Sequence, residues 1–369
     1  MIAVCAVSIA LALWLTERFA PQAAGSGIQA VEGVVRERLE LWPRAVAWVK
    51  FAAGVLGIGG GLVLGREGPT VQMGATVADA VAERFGLPRA ERRTLLAVGA
   101  GAGLTGAFNA SLAGTLFVLE ELKVPLRPMV CVGALLASAI TDWCCREAFG
   151  PRAELAVPDQ VGASVGGLLS VLVLGALCGA GGAAFNAGLL RALDGVKRLR
   201  ARAPGWAIAL ALGAAVGAVA WFVPGLPGGG IGFAQRAVAG EVDLVAAAWL
   251  LPLSLALTLA SYALGAPGGI FAPLLVIGAL AGTAFHGVWQ AALPGAFAPP
   301  LPLLAAVGMA GLFTAVVRAP LTGVVLLIEM TGAYGLALPT LAGSLAAWGV
   351  AEWLGSVPIY DSLLERELR

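Results

Sequence analysis

Gly65-Arg66-Glu67-Gly68-Pro69 sets two adjacent charges inside otherwise apolar sequence. The run before it, 51–64, carries no charge, and the stretch after it, 70–82, is made largely of small and apolar residues. Charge at membrane depth is costly, so ionisable residues there mark a pathway by default. Pro69 suits the first turn of a helix, where its missing N–H is no loss. Gly65 and Gly68 leave the backbone bare. A helix starting here would aim unpaired N–H groups and its positive dipole end at whatever lies in front. That makes an anion site with a carboxylate, Glu67, in its mouth. The competing reading is a short polar loop at a membrane surface with Arg66 and Glu67 solvated.

Outward from this break the chain reads as membrane protein. Hydrophobic residues make up 59% and charged residues 12%, against about a quarter charged in soluble domains. Apolar runs of helix-spanning length recur from end to end, which predicts an all-α polytopic membrane protein. Glycine, 52 of 369 residues, is about twice its usual share. Small residues let membrane helices approach closely, and Gly57, Gly61 and Gly65 recur every four residues. A net charge of +1 gives no reason to expect a nucleic-acid partner. The five cysteines, Cys5, Cys131, Cys144, Cys145 and Cys178, lack zinc spacing, and no cluster suggests a metal or other cofactor. Residues 2–15 have no basic stretch before them and no cleavage site after them, so they read as a membrane helix and not a signal peptide.

Other breaks share the chemistry of the first. Gly25-Ser26-Gly27-Ile28 is a second glycine-flanked helix start. Ser26 there either caps the helix or offers its hydroxyl to an anion. Gly265-Ala266-Pro267-Gly268-Gly269-Ile270-Phe271-Ala272-Pro273 is a third break in apolar sequence. The loop Lys197-Arg198-Leu199-Arg200-Ala201-Arg202 should be cytoplasmic by the positive-inside rule. Trp42, Trp48, Trp143, Trp206 and Trp353 lie near segment ends and read as an interfacial belt, with His286 close to a membrane surface.

The two halves resemble each other. At an offset of 209, residues 98–121 match 307–330 at Val98/Val307, Gly99/Gly308, Thr105/Thr314, Ala110/Ala319, Leu112/Leu321, Gly114/Gly323 and Glu120/Glu329. Pro69 and Gly74 correspond to Pro273 and Gly278 at an offset of 204. Weak internal symmetry with broken segments in both halves marks a transporter whose site lies at the repeat interface.

In order along the chain, Gly25-Ser26-Gly27-Ile28, Gly65-Arg66-Glu67-Gly68-Pro69, Gly269-Ile270-Phe271-Ala272-Pro273 and Pro358-x-Tyr360, with Phe108-Asn109-Ala110 through Glu121, resemble the CLC family of chloride channels and proton–chloride exchangers. The resemblance implies an inverted repeat of tilted and partial helices, and a homodimer with one pore per subunit in a lipid bilayer. It divides the chain into a first membrane repeat (1–160, without the family's initial helices), a second (161–356), and a C-terminal segment (357–369) carrying Tyr360, with no cytoplasmic domain after it. By motif, Ser26 and Tyr360 would offer hydroxyls to chloride, and Ile270 and Phe271 backbone N–H groups. Arg66, Glu67 and Gly68 would line an outer anion site with backbone N–H groups. Glu67 would be the gating glutamate and Glu121 the inner proton-transfer glutamate that marks exchangers. Glu120 either assists Glu121 or is structural like Glu329. Gln29 and Ser111 stand where the family usually has proline, at helix-start positions that tolerate the change. By the same resemblance, serine at position 26 would favour chloride.

The implied function is secondary active exchange of chloride for protons across a plasma or inner membrane, by a protein that is not an enzyme. The alternative within the fold is a passive chloride channel. Neutral hydroxyls and N–H groups suit either, because they hold a halide without a full countercharge and so let it leave. Two further readings come from other classes. Gly162-Ala163-Ser164-Val165-Gly166 matches the serine-nucleophile pattern of a membrane hydrolase but lacks a strand–turn–helix and a histidine partner. A non-transporting scaffold would need no carboxylate in a pathway. Gly101-Ala102-Gly103-Leu104-Thr105-Gly106 has dinucleotide-site spacing, but no strand precedes it, so helix packing is the expectation.

Overall fold

The computed structural model describes residues 1–150, 155, 167–293 and 299–368. Among these residues sixteen α-helices follow one another, and the only β pairing is a single bridge. The first eight are α1 (Ile2–Phe19), α2 (Ile28–Val35), α3 (Ala45–Gly59), α4 (Glu67–Arg84), α5 (Arg89–Phe108), α6 (Ser111–Glu120), α7 (Pro128–Phe149) and α8 (Leu168–Arg200). Then come α9 (Gly205–Phe222), α10 (Ile231–Val238), α11 (Leu244–Ala263), α12 (Phe271–Ala292), α13 (Leu301–Val317), α14 (Pro320–Thr331), α15 (Ala337–Trp353) and α16 (Ile359–Glu367). Helices α1, α7, α8, α9, α11, α12 and the segment Tyr334–Trp353 are long and apolar enough to cross a bilayer. The molecule is a multi-pass membrane protein.

The core sits around α13. Every residue from 303 to 317 is buried, against α8, α12, α14 and α15. A helix apolar all round is one that protein surrounds on all sides. Backbones meet directly where glycine permits. A Cβ on Gly74 of α4 would strike the carbonyl of Gly99 in α5, and one on Gly308 of α13 would strike that of Gly278 in α12. These two contacts relate by the offsets found in the sequence. Gly101 likewise packs on Gly114 of α6, and Gly103 on Thr70 of α4, so the glycines of 101–106 serve helix packing.

Helices α2 and α10 have 8 residues, α6 has 10 and α14 has 12. At about 1.5 Å per residue none of them crosses a membrane. Their ends therefore lie within the protein, where each unpaired backbone group needs a partner. Helices α6 and α14 solve this by exchange. Glu329, near the end of α14, accepts from Leu112 N (3.0 Å) and Ala113 N (2.8 Å) at the start of α6. Glu120, at the end of α6, accepts from Leu321 N (3.1 Å), Thr322 N (2.7 Å) and Thr322 Oγ1 (2.8 Å) at the start of α14. Each carboxylate meets the positive end of the other helix's dipole. Of the two roles open to Glu120, the structural one has its partners. Glu120→Ala and Glu329→Ala should each cost about 1–2 kcal/mol, as loss of a charged helix cap does. They should lower the melting temperature of the purified protein to similar extents.

The helix breaks before α6 and α14 also match. Asn109 and Arg318 take left-handed φ values of 52° and 74°, and their N–H groups close on Thr105 O (2.7 Å) and Thr314 O (2.8 Å). Two departures from the sequence reading concern single elements. The sequence carries no long apolar stretch between 222 and 243, so no helix is expected there, but α10 occupies it. Its short apolar face of Phe233, Ala234, Ala237 and Val238 follows a glycine- and proline-rich approach that hides it. Trp42 is not in an interfacial belt: it is buried and donates to Thr76 Oγ1 at 2.8 Å. Trp48, Trp143, Trp206 and Trp353 are exposed, as a belt requires. Ser164 and the charged residues Arg152, Glu154 and Asp159 lie outside the described residues.

Candidate functional site

The first and third breaks are fastened to each other. Gly65 N donates to Gly269 O (2.8 Å), and Gly269 N donates back to Gly65 O (2.7 Å). This bridge sets the first turns of α4 and α12 side by side. Glu67 is the first residue of α4, yet its carboxylate turns to the other helix. Glu67 Oε1 accepts from Phe271 N, the first residue of α12, at 2.7 Å. The N–H groups of Glu67 itself and of Ala272 also face the carboxylate. A Cβ on either Gly65 or Gly269 would fall on this carboxylate, so glycine at both positions makes its room. Glu67 is fully buried, and among the described residues its Oε2 has no hydrogen-bond partner at normal distance. The carboxylate thus lies where two helix N-termini would hold a free anion.

Ser26 faces this point from the second break. The side chain of Ser26 makes no capping bond to α2, whose N-cap is Gly27 at φ 84°. Its hydroxyl is buried and, among the described residues, has no hydrogen-bond partner at normal distance. A Cβ on Gly68 would come within 2.8 Å of Ser26 O and 2.9 Å of Ser26 Cα, so the starts of α2 and α4 touch. Tyr360, the second residue of α16, is fully buried; its hydroxyl faces the Ser26 side chain and has no closer partner among the described residues. Its ring lies 5.9 Å from that of Phe271, centroid to centroid. Ile270, the N-cap of α12, is buried beside them. Two orphan hydroxyls and the starts of three helices thus converge. Buried polar groups normally have partners, so their pairing is left for something the protein binds.

Arg66 stands apart from this convergence. Its side chain is exposed and its Nε donates to Ala107 O at 2.9 Å, so its backbone is the part directed at the break. An opening of about 170 Å³, lined by Arg66, Glu67, Phe108, Gly229, Ile231 and Ala272, leads to Glu67.

Glu121 ends α6 and is only 4% exposed. One turn earlier, Phe117 packs edge-on against Phe271, 6.3 Å between centroids. Phe271 therefore holds Glu67 with its N–H and bears on the Glu121 helix with its ring. Near Glu121 lies a charged network that joins α2, the segment after α6, and α16. Arg36 bridges Glu32 (2.8 Å) and Asp361 (2.9 Å), and Lys123 bridges Asp361 (2.9 Å) and Glu32 (3.5 Å). Glu121 lies within electrostatic range of Glu32, Lys123 and Asp361.

Ser26, Glu67, Gly68, Ile270, Phe271 and Tyr360 meet at one point, with Glu121 one aromatic layer away. Sequence reasoning passed over Lys50, Glu32, Lys123 and Asp361. Lys50 is fully buried, donates to Gln72 Oε1 at 2.5 Å, and sits 2.6 Å from where a Cβ on Gly27 would be. It is the single charge of α3, and that isolation in an apolar helix was the signal that could have found it. Glu32, six residues after Ser26 on a short buried helix, carried the same kind of signal.

A family model described as voltage gated chloride channel matches residues 8–352. The H(+)/Cl(-) exchange transporter ClcA of Vibrio campbellii is 40% identical over 362 residues, 96% of this chain and 77% of that protein. The protein of the same name from Cronobacter sakazakii is 39% identical over 371 residues, with 96% and 77% covered. Among solved structures, a slow cyanobacterial Cl-/H+ antiporter superposes with a TM-score of 0.94 at 35% identity, covering 100% of this chain and 86% of that one. A CLC-type fluoride/proton antiporter superposes at 0.78 with 23% identity, covering 98% and 87%, a likeness of fold.

Proposed function

This chain belongs to the voltage-gated chloride channel family, and from that footing we propose that it exchanges chloride for protons across the membrane it spans, a plasma or inner membrane. One observation carries the reading: the Glu67 carboxylate, buried, hydrogen-bonded to the first N–H of α12 and beside the unpartnered hydroxyls of Ser26 and Tyr360. An ionised Glu67 repels an arriving anion and occupies the donors that would hold it. Burial favours the neutral form of a carboxyl group and N–H donors favour the charged form, so a group under both influences can change state in the cycle. When Glu67 takes a proton, its hold on the Phe271 N–H weakens and the side chain swings aside. Chloride then takes those donors together with the two hydroxyls. When chloride leaves, Glu67 returns and its proton departs. Proton entry and anion exit thus compete for one place.

Glu121 serves the proton on the opposite side of the aromatic layer. Its place beside Glu32, Lys123 and Asp361 gives it a polar approach, which supports exchange over passive conduction. Glu120 is a helix cap in this reading, and Arg66 and Gly68 contribute backbone N–H groups. The chain divides into repeats 1–160 and 161–356 with a C-terminal segment 357–369, a division supported by the exchanged caps of α6 and α14. Two copies form the functional unit, each with its own pathway.

The hydroxyls give the direct binding test. A hydrogen bond to a charged group contributes about 1.5–3 kcal/mol, or roughly tenfold or more in affinity. Ser26→Ala and Tyr360→Phe should each weaken chloride binding by about that factor in titration calorimetry of the purified protein. Binding left unchanged by both would remove the anion from this site.

A further inference from the structure

Tyr262 lies in the last turn of α11, in sequence that otherwise serves packing. It is 3% exposed, and among the described residues its hydroxyl has no side-chain hydrogen-bond partner. Phenylalanine would fill the same space without burying a polar group short of partners, which destabilises a fold. The position of the hydroxyl explains the tyrosine. Tyr262 OH lies 3.4 Å from the point where a Cβ on Gly25 would be, with Gln29 Nε2 4.0 Å from the same point. Gly25, at φ 62°, has no side chain to cover it. The hydroxyl faces the Ser26 backbone and lies within electrostatic range of the Tyr360 phenol. Two backbone bonds fix this geometry: Gly268 N to Gly25 O and Gly265 N to Tyr262 O, each 3.1 Å. The third break therefore positions both the end of α11 and the start of α12 against the loop that carries Ser26.

We infer that Tyr262 is a third hydroxyl ligand of the transported anion, beside Ser26 and Tyr360, and that it helps set which small monovalent anions the protein prefers. The inference rests on the anion site proposed above. The chemistry is of the same kind: a neutral O–H donor held rigidly, able to bind a halide without trapping it. An anion passing the Gly25 side of Ser26 would meet the phenol there. A third fixed donor favours a compact spherical anion over a planar one, because donors from three directions converge on one centre.

The experiment compares wild type with Tyr262→Phe and Ser26→Ala as purified full-length protein, by calorimetric titration with chloride and with nitrate and by thermal unfolding. Tyr262→Phe should raise the chloride Kd about fivefold or more, as loss of one donor to a charged ligand does. It should raise the nitrate Kd less, and leave the unfolding temperature close to that of wild type, because no side-chain partner is lost. A chloride Kd within about twofold of wild type, with the anion ranking kept, would overturn the inference. If Ser26→Ala weakens binding in the same series, the anion site stands and only the role of Tyr262 falls. A wild type that binds neither anion would overturn both.

Discussion

Glu67→Gln should separate the two ion flows. Glutamine keeps the shape of the side chain but cannot ionise, so it neither takes up a proton nor competes with chloride as a charge. In liposomes, chloride-driven proton movement should fall by at least about 100-fold, since an essential proton carrier is gone. Chloride should still cross, and its flux should lose the acid dependence conferred by a carboxylate that must be protonated to move. The argument is local. Glu67 Oε1 holds Phe271 N at 2.7 Å, on the first N–H of a 22-residue helix. A neutral amide exerts a far weaker claim on that dipole end than a charged carboxylate does. Flux, coupling and acid dependence that all matched wild type would show that the carboxylate does not gate the pathway.

Glu121→Gln should abolish coupling by a different route. Proton movement should again fall by at least about 100-fold, but chloride flux should keep its acid dependence, because Glu67 remains in its nest of N–H groups. The difference between the two variants follows from position. Glu67 stands among the anion's own donors, whereas Glu121 sits at the end of α6, one turn past Phe117 and beside Glu32, Lys123 and Asp361. One glutamate excludes the anion and the other only conveys the proton. If Glu121→Gln kept coupled proton movement, the proton would have to travel elsewhere. The neighbouring carboxylate, Glu120, is held by three donors at the start of α14 and is poorly placed to take over.

Much of this arrangement was legible in the sequence, for identifiable reasons. Gly65-Arg66-Glu67-Gly68-Pro69 announced a helix start because glycine, proline and paired charges have few other uses inside apolar sequence. The offset of 209 pairs Glu120 with Glu329, and in the structure these two residues cap each other's helix. Local signals could not show which groups pair across long distances in the chain. The bond from Phe271 N to Glu67 spans 204 residues and the exchange of caps spans more than 200. Tyr262 was hidden because a tyrosine in an apolar helix usually packs, and only the place of its hydroxyl, against Gly25 and the Ser26 backbone, sets it apart. Trp42 was misread because nearness to a segment end does not fix the direction of a side chain. Helix α10 was missed because eight residues give too few turns for a periodic pattern to stand out against glycine-rich flanks.

The central claim is coupled exchange, and its most direct test uses the wild-type protein reconstituted in liposomes under an imposed chloride gradient, with chloride flux and external pH recorded together. Chloride-driven movement of protons against their own gradient is the expected result. Chloride flux with no proton movement would contradict exchange and leave a passive chloride channel built on the same fold.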